Sequence, residues 1–297
     1  ISNTVFDLEK GPLFKGALVK VTDERFVFGY NMHHIISDGW SIGIMINELL
    51  KNYDARRKGE TVQSHPLQIH YKDYAVWQQK QLADEVFNKE RKYWLTHLEG
   101  DLPILSHFGD FPRPAIMSYN GNVTRQDIPA ALYQKFKSFC RENSGTLFTG
   151  CLSLINVLLH KYTEQEDFIV GSPVSGRTHK DMADQIGFYV NTLALRTQFG
   201  TTNSFEEVFQ KNKKVTLNAI ENQNYPFDEL VNHLNLKRDL SRSALFDVMI
   251  DIQNENQSND QKSGTSYNEL LNGGVSKYDL TFTFIEKSDS LTVELEY

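Results

Sequence analysis

The stretch Asn31-Met32-His33-His34-Ile35-Ile36-Ser37-Asp38-Gly39-Trp40-Ser41 decides how this chain is read. Before it, Arg25–Tyr30 is a short apolar run rich in aromatics, the pattern of a buried strand. After it, Trp40, Ile44, Met45, Leu49 and Tyr53 recur at helical spacing among polar residues. Two histidines and an aspartate therefore occupy a tight turn from strand to helix, with Asp38-Gly39 supplying residues that turns favour. Side chains alternate along a strand, so the spacing sends His33 and His34 to opposite sides. One imidazole can face a reaction space while the other faces the packing behind it. Histidines at a sharp turn are acid–base candidates, because imidazole changes charge near neutral pH. A zinc site needs i,i+4 histidines on a helix or a third ligand at recognisable spacing, and the stretch has neither.

Size and composition narrow the classes. The 297 residues suffice for two modest domains, and 40% hydrophobic with 12% aromatic residues can bury a sizeable core. Net charge is −7 without a basic block, so nucleic acid is not an expected partner. No apolar run reaches spanning length, so a membrane is not expected either. Cys140 and Cys151 lie inside helical patterns, which fits a reducing cytoplasm and no disulfide framework. The chain opens without Met and stops inside the strand-like run 290–297, as a piece of a longer protein would.

Gly11-Pro12 opens an alternating run, Leu13–Val21, and Thr22–Glu24 turns it back into the histidine strand, which reads as a hairpin. A helix of about Trp40–Arg57 follows, then one long helical stretch over Tyr71–Leu98. The Pro- and Gly-containing segment from Gly100 to Gly121 reads as a linker, dividing the chain into 1–100 and 101–297. In the second part, Asn122–Ile128, Asp167–Ser172, Val190–Gln198, Leu245–Gln253, Tyr278–Glu286 and Leu291–Tyr297 read as strands. Pro129–Asn143, Thr146–Tyr162, Ser204–Glu221 and Pro226–Leu234 read as helices, the second mostly apolar and therefore deeply buried. Asn254–Gly264 is polar and reads as a mobile loop. The mixture predicts an α/β fold with mixed sheets.

Met32–Ser41 resembles the HHxxxDG signature of nonribosomal peptide synthetase condensation domains, acyltransferases of the chloramphenicol acetyltransferase-like superfamily. Four further strings match that family in order. Tyr71-Lys-Asp-Tyr-Ala-Val-Trp77 resembles its YxDYAVW segment, and Ile186-Gly-Phe-Tyr-Val-Asn-Thr192 its GxFVNT segment, with Arg196 at that motif's arginine. Asn222-Gln-Asn-Tyr-Pro-Phe227 resembles HQDYPFE, and Arg238-Asp-Leu-Ser-Arg242 resembles RDxSRNPL. Asn222, Asn224, Asp228, Ser243 and Ala244 depart from these patterns in segments that shape loops and packing. The resemblance implies a two-lobed sandwich with the active site between lobes. Residues 1–100 would be the C-terminal part of the N-lobe, and 101–297 the C-lobe without its last helix.

The resemblance also implies a reaction. Condensation domains join two carrier-bound substrates, the amine of an acceptor aminoacyl thioester attacking a donor acyl or peptidyl thioester. An α-amino group titrates near roughly 7.7–8.0 and a free imidazole near about 6.5, so one placed histidine is a suitable partner. His34 matches the family's catalytic histidine, as general base or as the acceptor that orients the amine. His33 and Asp38 match positions regarded as structural, with Asp38 paired to an arginine, either Arg177 or one outside this chain; read locally, Asp38 is a helix N-cap. Gly39 would let backbone approach the tunnel, its amide helping an oxyanion, or is an ordinary turn glycine. Trp40 and Ser41 complete the turn. Asn191 could reach the tunnel or bond backbone at a sheet edge, and Tyr74 and Trp77 read as packing. Neither Ser41 nor Cys151 is set up as a nucleophile. No cofactor or metal is expected to bind directly; phosphopantetheine arms arrive on an upstream donor and a downstream acceptor carrier protein, beside an adenylation domain. The competing readings are an epimerization domain, a stand-alone acyl-CoA-dependent acyltransferase, and a non-catalytic docking domain.

Overall fold

The computed structural model describes residues 4–62, 66–106, 109, 111–237, 239–254 and 274–297. The expected mobile loop, beyond Asn254, and Arg238 lie outside them. The alternating run and the aromatic run form an antiparallel hairpin, β1 (Phe14–Lys20) and β2 (Phe26–Met32), with Phe14 opposite Met32 and Lys20 opposite Phe26. Its burial corrects the sequence reading. Phe26, Val27 and Phe28 are 51%, 48% and 41% exposed. An apolar run encodes a strand, but burial depends on what covers each face, and a single strand does not encode that.

A one-turn 3-10 helix (His34–Ile36) then leads into α1 (Gly39–Arg57). The expected single helix after it is two: α2 (Tyr71–Ala83) and α3 (Asn88–His97). Glu85 between them takes φ +56°, a left-handed conformation that ends a helix, while the neighbouring Phe87 is buried. Helical periodicity ran through this break because both halves continue the same polar-faced pattern.

Two compact units result, Ile1–Asp84 with Ser175–Val190, and Glu85–Val174 with Asn191–Tyr297. The segment read as the linker carries no helix or strand among its described residues.

The second unit is built on a six-stranded mixed sheet of β3 (Val123–Ile128), β4 (Asp167–Val174), β5 (Asn191–Gln198), β6 (Val248–Asn254), β7 (Leu280–Glu286) and β8 (Leu291–Glu296). Its order is β3-β8-β7-β6-β4-β5, with β6 parallel to both β4 and β7 and the other pairs antiparallel. Among the described residues α3 and four further helices accompany it: α4 (Ala130–Glu142), α5 (Leu147–Thr163), α6 (Phe205–Glu221) and α7 (Phe227–Leu234). Thr146 caps α5 and Ser204 with Glu207 forms a capping box on α6, so orphan amides of each first turn are satisfied. Leu152, Leu195, Val208, Phe209 and Ile250 are among the side chains sealed inside. α5 keeps one open face, with Leu154 and Leu158 42% and 39% exposed.

Inside this core the Asn156 amide and the Thr197 hydroxyl both donate to Asn212 Oδ1, at 2.8 and 2.9 Å. That shared acceptor locks α5, α6 and β5 in one register. Arg196 on β5 grips Asp167 through two nitrogens and donates to the Glu99 and Asp101 carbonyls, while its own amide donates to His97 Nε2 at 3.2 Å. Arg242 pairs with Asp247.

Two outcomes follow from this packing. A Cβ on Gly171 of β4 would lie 2.2 Å from the buried Phe246 ring, so Gly171→Ala lowers unfolding free energy by about 1–3 kcal/mol, read as a fall in urea midpoint. Burial, and then the Arg196 charge, pull the His97 imidazole from 6.5 down to about 4. The unfolded chain thus binds more protons between these values, so this group's contribution is complete above about pH 6.5. It drains away as pH falls toward 4, by up to about 3 kcal/mol. Urea midpoints taken from pH 7 to pH 4 fall less steeply in His97→Gln; equal slopes would count against this account.

Candidate active site

β2 ends at Met32, so His33 and His34 are separated by a change of backbone and not by strand alternation. His33 takes φ −68°, ψ 136° as the cap of the 3-10 turn, and its Nδ1 accepts the Ile35 amide at 3.1 Å. That acceptor role places the ring proton of neutral His33 on Nε2. The ring is half-buried and meets Phe6 edge-on, centroids 6.0 Å apart. His34, inside the turn, is exposed. Its ring meets Phe188 at 5.2 Å and 80°, and among the described residues neither of its nitrogens is hydrogen-bonded. The two imidazoles therefore differ in their surroundings, and the cause is the 3-10 cap rather than strand alternation.

Asp38 combines both roles open to it. It is 3% exposed and caps α1, its Oδ1 accepting the Ser41 amide at 2.8 Å. It also pairs with Arg177 at 3.1 Å, the guanidinium side chain likewise 3% exposed. Oδ2 accepts the Tyr189 amide at 3.0 Å. Ser41, fully buried, stands within 2.7 Å of Asp38 Oδ1 and 2.9 Å of the Gly187 carbonyl, either of which can take its proton. Its lone pairs accept from the Gly187 amide and Arg177. That hydroxyl is fully engaged in hydrogen bonds inside the first unit.

Arg177 is held in turn. One terminal nitrogen donates to the Met182 and Gln185 carbonyls, and the guanidinium carbon sits 4.3 Å from the Tyr189 ring centroid, a cation–π contact. Tyr189 donates its hydroxyl to Gln185, whose amide donates to the Ile69 and Asp181 carbonyls. Burial lifts the Tyr189 hydroxyl to about 12, so it remains a donor at neutral pH. Trp40, half exposed, donates from Nε1 to the Ala183 carbonyl at 2.8 Å. Gly187 must be glycine, because a Cβ there would lie 2.4 Å from the Tyr71 ring. Tyr74 packs against Tyr71, Trp77 and Tyr189. Segment 175–190 is thereby bolted to the start of α1.

The first unit thus gathers His33, His34, Asp38, Gly39, Trp40, Ser41 and Arg177. Gly39 is exposed with nothing near the position of an added Cβ. Asn191 belongs to the second unit, and its amide is committed to backbone. It donates to the Gln223 and Tyr225 carbonyls at 2.8 Å each and accepts the Phe227 amide at 3.0 Å, shaping the entry to α7. This is the sheet-edge role, since β5 is an edge strand. Cys151 is fully buried and its thiol is pushed far up by burial. Sequence reasoning quoted Ile186–Thr192 but did not attach Phe188 to His34; the only available signal was an aromatic beside Gly187.

Removing the guanidinium leaves the Asp38 charge buried and unpaired. Arg177→Met is expected to cost about 3–5 kcal/mol of unfolding free energy. A urea titration showing a loss below about 1 kcal/mol would contradict the importance given to this pair.

Comparison with known proteins adds three findings. The Condensation domain family model matches residues 2–297. Gramicidin S synthase 2 of Aneurinibacillus migulanus is 37% identical over 294 residues, and bacitracin synthase 2 of Bacillus licheniformis is 40% identical over 293 residues, each match covering 98% of this chain. The chain spans only 6% and 11% of those two relatives' lengths. The X-domain from teicoplanin biosynthesis shares the fold, with TM-score 0.86 at 22% identity, covering 99% of this chain and 68% of that one.

Proposed function

The chain belongs to the condensation-domain family, and from that premise we propose that it forms amide bonds between carrier-bound thioesters in nonribosomal peptide synthesis. The acceptor's amino nitrogen attacks the donor's thioester carbonyl, a C–N bond forms and the C–S bond breaks. The amine gives up one proton, and the departing pantetheine sulfur takes one up. His34 accepts the hydrogen bond of the attacking amine and relays that proton. Holding the two thioesters together supplies most of the acceleration, because a thioester is already an activated acyl group.

The observation that carries this reading is the contrast between the two imidazoles. His34 is exposed and its nitrogens are unbonded among the described residues, while His33 Nδ1 and the Asp38 oxygens are already committed. His33, Asp38, Ser41 and Arg177 hold the turn from which His34 projects, and Gly39 and Trp40 flank it. The substrates are phosphopantetheine-bound acyl groups delivered by an upstream donor and a downstream acceptor carrier protein, beside an adenylation domain.

The test uses the full-length polypeptide with donor- and acceptor-loaded carriers. His34→Ala is expected to lower the rate of amide formation by roughly 10²–10⁴-fold. Unchanged amide formation would remove His34 from the reaction. D/L scrambling of a carrier-bound residue, without amide product, would replace this reading by epimerization, and neither product would leave docking.

A further inference from the structure

We propose that Phe188 is a positioning residue for His34, and that the buried clamp around Asp38 acts on the reaction through it; this rests on the condensation reading above. The backbone on both sides of Phe188 is pinned. The Gly187 amide donates to Ser41 Oγ at 3.0 Å, and the Gly187 carbonyl lies within 2.9 Å of the same oxygen. Tyr189 donates its amide to Asp38 Oδ2 at 3.0 Å. The Tyr189 ring packs on Arg177 and is 2% exposed, whereas the neighbouring Phe188 is 39% exposed. The Phe188 ring stands edge-on to His34.

Asp38 and Ser41, which start the helix just after His34, are thus the residues that aim Phe188. The clamp reaches the imidazole from two directions: along the chain through the turn, and through space through the Phe188 ring. An exposed histidine is otherwise free to sample several ring orientations. The edge-on aromatic contact favours one of them by about 2- to 10-fold. The positioned nitrogen is the one the amine must find.

The experiment compares Phe188→Leu and Phe188→Tyr with wild type in the full-length polypeptide, using loaded carriers. Phe188→Leu is expected to lower kcat by about 2- to 10-fold with KM for the acceptor carrier unchanged. Phe188→Tyr, which keeps the ring, is expected to retain wild-type kcat. Both variants should melt within about 3 °C of wild type, because the side chain is far from sealed. Carbethoxylation of His34 by diethyl pyrocarbonate, read by peptide mass mapping, is expected to be faster in Phe188→Leu, whose imidazole has lost a neighbour. Unchanged kcat in Phe188→Leu, a KM effect alone, equal losses in both variants, or unaltered carbethoxylation each overturn the inference. A wild-type polypeptide that forms no amide from loaded carriers overturns the condensation reading itself, and a fully active His34→Ala overturns the role of His34, so those failures are told apart from a failure at Phe188.

Discussion

A carboxylate and a guanidinium, separated by 139 positions in the chain and almost free of solvent, meet at 3.1 Å. Burying two charges is costly, and such a pair holds only when the surrounding groups satisfy it. Here the Ser41 and Tyr189 amides donate to the carboxylate, and two carbonyls and an aromatic face hold the guanidinium, whose Nε has no partner among the described residues. The carboxylate belongs to the N-cap of α1, and its partners Arg177 and Tyr189 lie near the two ends of segment 175–190. Local helix capping and long-range tethering are therefore one interaction seen from two sides.

This arrangement explains the unequal histidines. The turn uses one imidazole to cap itself and projects the next. His33 commits Nδ1 to the Ile35 amide, and His34 keeps its nitrogens available beside Phe188. Precision at the exposed ring comes from the buried pair, since an exposed side chain has few packing constraints of its own. The second unit's polar residues serve its own sheet: Asn212 fixes α6 against α5 and β5, and Arg196 ties β5 to the segment after α3.

Much of the architecture was legible beforehand. The hairpin, α1 and the strands and helices of the second unit follow from periods of two and 3.6 residues, and those periods depend on near neighbours. Capping was legible for the same reason at Asp38. The break at Glu85 was hidden because a single left-handed residue interrupts a pattern without changing its composition. Exposure of β2 was hidden because covering layers lie elsewhere in the chain. Asn191 shows the converse: its motif was visible, but its partners are backbone groups of a turn more than thirty positions away.

The sequence by itself determined the family, most of the order of elements and the pair of histidines at one turn, because ordered motifs and local periodicity are written in neighbouring residues. Only the tertiary structure decided that Arg177 is the partner of Asp38, that Ser41 meets Gly187, and that Phe188 stands against His34. Those pairings join residues more than a hundred positions apart, and proximity at that separation is a property of the packed chain.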